Sequence, residues 1–323
     1  MAGERRRKLN TLTKELDRYL EIRRSLGYQL NTDERILRRF VSFAEQSQAD
    51  HLTTNLFLRW QEVFGHAHRA TWARRLGIVR VFARWLHGID SRNEVPPAAL
   101  IPYRLRRPRP HIYSDDEIQR IIRAAATLPS IYGFRGLTFS TFLGLVAVTG
   151  MRISEAILLD AGDVDLESGV ITIRHGKLGK ARYNPISDST KAKLLAYVRE
   201  RSRLLGGQQS AFFLSEEGQR LSDSCVRYNF ALVCKNIGLR PAQSFHRHGR
   251  GPRIHDLRHT FAVRTLVNWY RKGADAAREM IKLTTYLGHS NPAHTYWYIE
   301  AVPELLGLAS QRAVKALAKE GGV

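Results

Sequence analysis

Residues 169–187 read GVITIRHGKLGKARYNPIS, two runs rich in strand-forming residues on either side of a stretch of glycines and lysines. A turn of this kind between such runs predicts an antiparallel hairpin with GVITIR and ARYNPIS as its arms. The flanking segments keep helical spacing instead: 115–125, 137–148 and a short one from Ile153 before the hairpin, then 189–204, 222–236, 256–271, 275–287 and 303–318 after it. This part of the chain is therefore expected to be α+β and mostly helical, with a small antiparallel sheet.

Upstream, the pattern is helical throughout. Leu9, Leu12, Leu16 and Leu20, then Leu37, Phe40, Val41 and Ala44, then Leu56 and Trp60, then Trp72, Leu76, Val79, Ala83 and Leu86 mark four helices. Asn31 followed by Glu34 predicts a capped start for the second. Off its apolar stripe the fourth carries Arg69, Arg74, Arg75, Arg80 and Arg84, a face that suits phosphates and reads equally as solvated. Residues 94–112, EVPPAALIPYRLRRPRPHI, hold five of the eleven prolines together with Arg104, Arg106, Arg107 and Arg109. Proline at that density removes backbone donors, so an extended linker that could track a DNA backbone is expected. The chain thus reads as multidomain: an all-α amino-terminal domain over 1–95, a linker over 96–112, and the α+β domain over 113–323.

The 51 Lys and Arg exceed the 30 Asp and Glu by a formal charge of +21, spread along all 323 residues. Such an excess implies a polyanion as partner, and its spread argues for an extended nucleic-acid surface over a basic tail. The polar start MAGERRRKLN and the lack of a long apolar run predict neither signal peptide nor membrane span, hence a cytoplasmic protein. Cys225 and Cys234 sit nine residues apart on one expected helix. At the helical rise they are about 13 Å apart, too far to bridge.

Four segments could carry chemistry. In TGMRISEAILLDAGDVDLE, residues 149–167, Arg152 opens a helix against the helix dipole, which an anionic partner explains better than an ordinary surface position. The acidic run Asp160, Asp163, Asp165 lacks the register of a calcium loop. Lys177, in the hairpin turn, could reach a ligand as proton donor, but the turn lacks the Walker A pattern and ATP is not implied. In RIHDLRHTFAVRTL, from Arg253, the residues His255, Arg258 and His259 share one helix face. A zinc pair at His255 and His259, with His246 and His248 nearby, is disfavoured because the glutamate of H-E-x-x-H is absent. Last, LGHSNPAHTYWYIEA at 287–301 places His289 nine residues before Tyr298; alone, its aromatics read as packing.

Taken in order, Arg152 in TGMRISE, Lys177, His255 and Arg258 in HDLRH, His289 in LGHSNP and Tyr298 resemble the tyrosine recombinases, the phage integrase family. The resemblance spans about residues 113–310, and the helical domain and Pro/Arg linker ahead of it are similar to the family's layout. It implies Tyr298 as nucleophile, with Tyr296 its rival, Arg152 and Arg258 as phosphate clamp, and Lys177 as general acid. It further implies His255 as acceptor of the tyrosine proton, His289 as donor to the phosphate, and Glu155 as the acid that orients the basic cluster. His259 reads as structural. Residues 244–253, with Arg247 and Arg250, read as a DNA-contacting loop.

The chemistry needs no metal and no cofactor, because a phosphotyrosyl bond keeps the energy of the broken ester. The resemblance further implies a homotetramer on two double-stranded DNA sites, its carboxy-terminal stripe of Leu305, Ala309, Ala313 and Ala316 docking on a neighbour, with room for an accessory DNA-binding protein. A Xer-like or mobile-element recombinase associated with the nucleoid is expected, serving integration or excision, transposition, or cointegrate resolution. The alternatives are a type IB topoisomerase and a non-catalytic DNA-binding accessory protein. Glu300 and Pro292 depart from the family pattern around the nucleophile.

Overall fold

The computed structural model of the chain describes residues 11–64, 67–103, 109–174, 181–206, 209–241, 251–289 and 291–320. Its contacts divide into two compact units, Met1–Arg107 and Pro108–Val323.

In the first unit, α1 (Thr11–Ser25), α2 (Asn31–Gln46), α3 (Thr54–Val63) and α4 (Arg69–His87) follow the four apolar stripes. Their inward residues, among them Leu16, Leu37, Phe40, Phe57, Trp60, Trp72 and Phe82, are almost wholly buried. Trp60 and Trp72 meet edge to face at 5.2 Å. Burying each such side chain contributes about 1.5–3 kcal/mol. The start of α2 differs from expectation: Leu30, in the left-handed region at φ 52°, is the cap residue, and no side chain caps the turn. Glu34 pairs with Arg24 and Arg38 instead, two charged partners outweighing one backbone donor.

Along α4, Arg69, Arg74 and Arg84 are exposed, whereas Arg75 stacks 4.4 Å from the Trp72 ring centroid and Arg80 donates to the Pro96 carbonyl at 2.5 Å. The described part of the proline-rich segment forms neither helix nor strand, and Ile101 packs into the core of the first unit. Arg109 is exposed; Arg104, Arg106 and Arg107 lie outside the described residues.

The second unit is built on α5 (Asp115–Ala126) and α6 (Phe134–Thr149). Ser114 and Glu117 close a capping box at the start of α5. Apolar residues cover α6 on nearly all sides, which makes it the buried centre that α5, α8 (Asp188–Leu205) and α10 (His255–Arg271) pack against. Between α7 (Ile153–Ile157) and α8 runs an antiparallel sheet in the order β1 (Val164–Asp165), β2 (Val170–Ile173), β3 (Arg182–Pro185). The two arms pair antiparallel as expected, with Ile171 opposite Asn184 and Ile173 opposite Arg182, while the turn between them lies outside the described residues; β1 adds a strand that the sequence pattern did not reveal. Cys225 and Cys234 are both free on α9 (Asp223–Asn236).

α11 (Ala276–Leu287), α12 (Ala293–Ala301) and α13 (Pro303–Glu320) complete the unit. Leu305 of α13 is fully buried against its own chain, in a cluster with Leu266, Leu283 and Tyr298. The fold is thus mostly helical with a small antiparallel sheet, and among the described residues no helix is long and apolar enough to cross a membrane.

Candidate active site

α10 supplies His255, Arg258 and His259 from adjacent positions on one face. Arg258 is only 2% exposed and survives burial through its carbonyl partners, donating to Gly150 O at 2.9 Å and to Leu287 O at 2.7 Å. Burial, then the charge of Arg152, lowers its pKa to about 10, so it stays cationic at neutral pH. Gly150 ends α6 at φ +61°, and a Cβ there would lie 2.5 Å from the Phe261 ring, so only glycine leaves the carbonyl in place.

Arg152 caps α7 from the other side. Its backbone N–H donates to Glu155 Oε2 at 2.8 Å, its Nη1 to Glu155 Oε1 at 2.6 Å, and its Nη2 to Gly288 O at 2.9 Å. The unfavourable cation at a helix start is thereby answered by a carboxylate one turn on. Three of its five N–H donors bond to nothing among the described residues, and the side chain keeps 22% exposure. Glu155 is buried beneath it and also accepts from Arg182 at 3.0 and 2.7 Å. Burial pushes the Glu155 carboxyl up, but the hydrogen bond and charge of Arg182, with those of Arg152, outweigh it and hold the group below its ordinary value.

The end of α11 ties these groups together. Tyr286, Leu287 and Gly288 offer successive carbonyls to Arg182, Arg258 and Arg152 respectively. Three guanidinium groups thus gather at the negative end of one helix, which offsets part of their mutual repulsion. His289 follows directly, its Nδ1 2.7 Å from Thr295 Oγ1, and Thr284 braces Thr295 at 3.0 Å.

Tyr298 lies on α12, 1% exposed, its hydroxyl 2.9 Å from His259 Nδ1. Its ring stacks 6.5 Å from that of His289 and lies 5.5 Å from Trp297. The rival Tyr296 is 48% exposed. His255 stands one ring further back, edge to face with His259 at 4.7 Å, its pKa lowered to about 4 by burial and then by Arg258.

The structure therefore brings together Arg152, Glu155, Arg258, His289 and Tyr298, with His255 behind them. Sequence reasoning gave no role to Arg182 and read His259 as structural; in the structure Arg182 holds Glu155, and His259 is the ring whose Nδ1 meets the Tyr298 hydroxyl. Lys177, Arg247 and Arg250 lie outside the described residues.

A tyrosine hydroxyl beside histidines and partly unpaired arginines has the parts that phosphoryl transfer needs. The sequence profile of the phage integrase family matches residues 112–304, more than half of the chain. The chain belongs to the phage integrase family. This recombinase is 40% identical over 309 residues to the integrase/recombinase y4rB of Sinorhizobium fredii (strain NBRC 101917 / NGR234), covering 94% of this chain and 97% of that protein. It is 30% identical over 239 residues to the tyrosine recombinase XerD of Caulobacter vibrioides (strain ATCC 19089 / CIP 103742 / CB 15), covering 73% and 72% of the two. In fold it matches a lambda integrase tetramer bound to a Holliday junction, with a TM-score of 0.59, 19% identity, and 87% and 78% of the chains covered. It is an enzyme of the tyrosine recombinase class, acting in site-specific DNA recombination.

Proposed function

We propose that the chain cuts and rejoins DNA through a 3′-phosphotyrosyl intermediate on Tyr298. The observation that carries this reading is the tyrosine hydroxyl 2.9 Å from His259, on the helix that also carries the buried Arg258. The hydroxyl oxygen attacks the scissile phosphorus as the bond to the 5′ oxygen breaks. Its proton passes to His259, with His255 packed against that ring to share it. Arg152, through its unused donors, and Arg258 neutralise the non-bridging oxygens, and His289, its ring fixed at Nδ1 by Thr295, donates to one of them. Lys177 protonates the departing 5′ hydroxyl. Since the phosphotyrosyl ester conserves the bond energy, attack by a 5′ hydroxyl of a second duplex reverses the step and exchanges strands through a Holliday junction.

The partner is a double-stranded recombination site, contacted by Arg69 and Arg74 on α4 and by Arg104, Arg106, Arg107, Arg109, Arg247 and Arg250. Their charges suit a phosphate backbone, and the net charge of +21 supports it. The assembly is a homotetramer on two sites, as the junction-bound lambda integrase tetramer suggests by its shared fold. Integration, excision or resolution of a mobile element in the nucleoid, with or without an accessory protein, is the role we infer.

The test is covalent trapping. Nicked duplexes carrying the inverted repeats that flank the gene should yield a denaturation-resistant adduct with the wild-type chain and none with Tyr298→Phe. Relaxation of supercoiled DNA without sequence preference would instead mark a topoisomerase, and binding without any adduct would mark an accessory protein.

A further inference from the structure

We propose that Arg182 is a positioning residue of the phosphate clamp: it holds the Glu155 carboxylate so that Arg152 keeps donors and charge for the phosphate. The proposal rests on the phosphoryl-transfer reading above.

The pleat of the hairpin turns Arg182 inward. It stands opposite the buried Ile173, while its neighbour Tyr183 is 73% exposed on the other face. From there the guanidinium forks onto both oxygens of Glu155, Nη1 to Oε1 at 3.0 Å and Nη2 to Oε2 at 2.7 Å, and its Nε donates to Tyr286 O at 2.8 Å. All three nitrogens are engaged and the side chain is 10% exposed, so Arg182 is not itself an arm of the clamp.

What it does follows from competition for one carboxylate. Two charged arginines and one ionised glutamate sum to one positive charge, whereas Arg152 with Glu155 alone would be neutral. An arginine faced with an unshared carboxylate closes on it with two parallel hydrogen bonds. Here Arg182 takes a place on each oxygen and the Arg152 backbone N–H takes another on Oε2, so the Arg152 guanidinium reaches Glu155 with Nη1 alone and spends Nη2 on Gly288 O. Arg182 also packs on Gly288: at φ +64°, a Cβ there would lie 2.7 Å from its Nη1. The two arginines therefore grip one glycine, immediately before His289, and a shift in either moves the clamp relative to the histidine.

The test compares Arg182→Met, which removes the fork, with Arg182→Lys, which keeps one charge and cannot span both oxygens and a carbonyl. On the nicked duplex the Met variant should cleave about 100-fold more slowly at saturating DNA, the scale of a small misplacement at a reacting centre, and the Lys variant should recover part of that loss. The dissociation constant for the duplex should stay within about 3-fold for both, as the phosphate backbone sets affinity. Equal losses in rate and affinity, or unchanged rates beside an active wild type, overturn the proposal. A DNA-free arm follows the Arg152 Nε–Hε NMR signal, identified by its loss in Arg152→Lys. A shift of that signal in the Lys variant, which is the milder change to the fold, supports the proposal, and an unmoved signal overturns it. A silent wild type on every duplex overturns the cleavage reading instead, and the NMR arm then decides the proposal by itself.

Discussion

His259 Nδ1 and the Tyr298 hydroxyl lie 2.9 Å apart across 39 residues of sequence, joining the helix of Arg258 to the helix that carries Tyr298. The contact holds a hydroxyl that is otherwise sealed among Trp297, His289 and the residues around Leu305. Removing it should cost chemistry more than binding. His259→Gln is expected to slow adduct formation by about 100-fold or more, the usual worth of a positioned proton acceptor, with little change in the dissociation constant for DNA. Single-turnover cleavage and a binding titration on one duplex check it.

Glu155 answers two guanidinium groups in a buried position, so deleting it leaves uncompensated charge. Glu155→Ala should destabilise the fold by about 3–5 kcal/mol, read from urea unfolding. Because the folded carboxyl titrates below its ordinary value of 4.5, its contribution is full above that value and drains away as pH falls further. A milder variant such as Glu155→Gln, which cannot titrate there, should therefore be less stable above pH 4.5 and show a flatter acid limb, converging on the wild type as pH falls.

His255 titrates the other way round in charge but loses stability on the same side. Its folded pKa of about 4 lies below the ordinary 6.5, so the unfolded chain binds a proton that the folded chain refuses anywhere in that window. Stability is full above pH 6.5 and declines from there to about pH 4, with a slope approaching about 1.4 kcal/mol per pH unit for one proton. His255→Gln should flatten that stretch, as thermal unfolding at a series of pH values would reveal.

Gly150 combines φ +61° with a Cβ position 2.5 Å from Phe261. Gly150→Ala should therefore cost about 1–3 kcal/mol, and by moving the carbonyl that Arg258 uses it should also lower the cleavage rate. Cleavage assayed well below the melting temperature separates the two effects.

Much of this was legible in the residues. Apolar spacing marked the four helices of the first unit, each of which buries a stripe, and most helices of the second. α12 was not legible: Pro292 interrupts the segment, and the aromatic run after it, with Tyr296 exposed and Tyr298 buried, has no clean stripe. Arg152, Arg258, His289 and Tyr298 stood out through their motifs, and the structure groups them. Arg182 gave no signal, since one arginine in a strand looks solvated until the hairpin register turns it toward the end of α11, over 100 residues away. His259 was read as structural because the family motif directs attention to His255, and only the packing of α10 on α12 shows which ring meets the hydroxyl. Among the arginines of α4, spacing could not separate Arg75, spent on Trp72, from the exposed Arg69 and Arg74.

The most direct measurement is the site of attachment. Wild-type chain trapped on a nicked duplex, digested with protease and nuclease and sequenced by tandem mass spectrometry, should carry the residual nucleotide on Tyr298. A nucleotide found on Tyr296, or on any residue outside α12, would show that the buried tyrosine beside His259 is not the nucleophile.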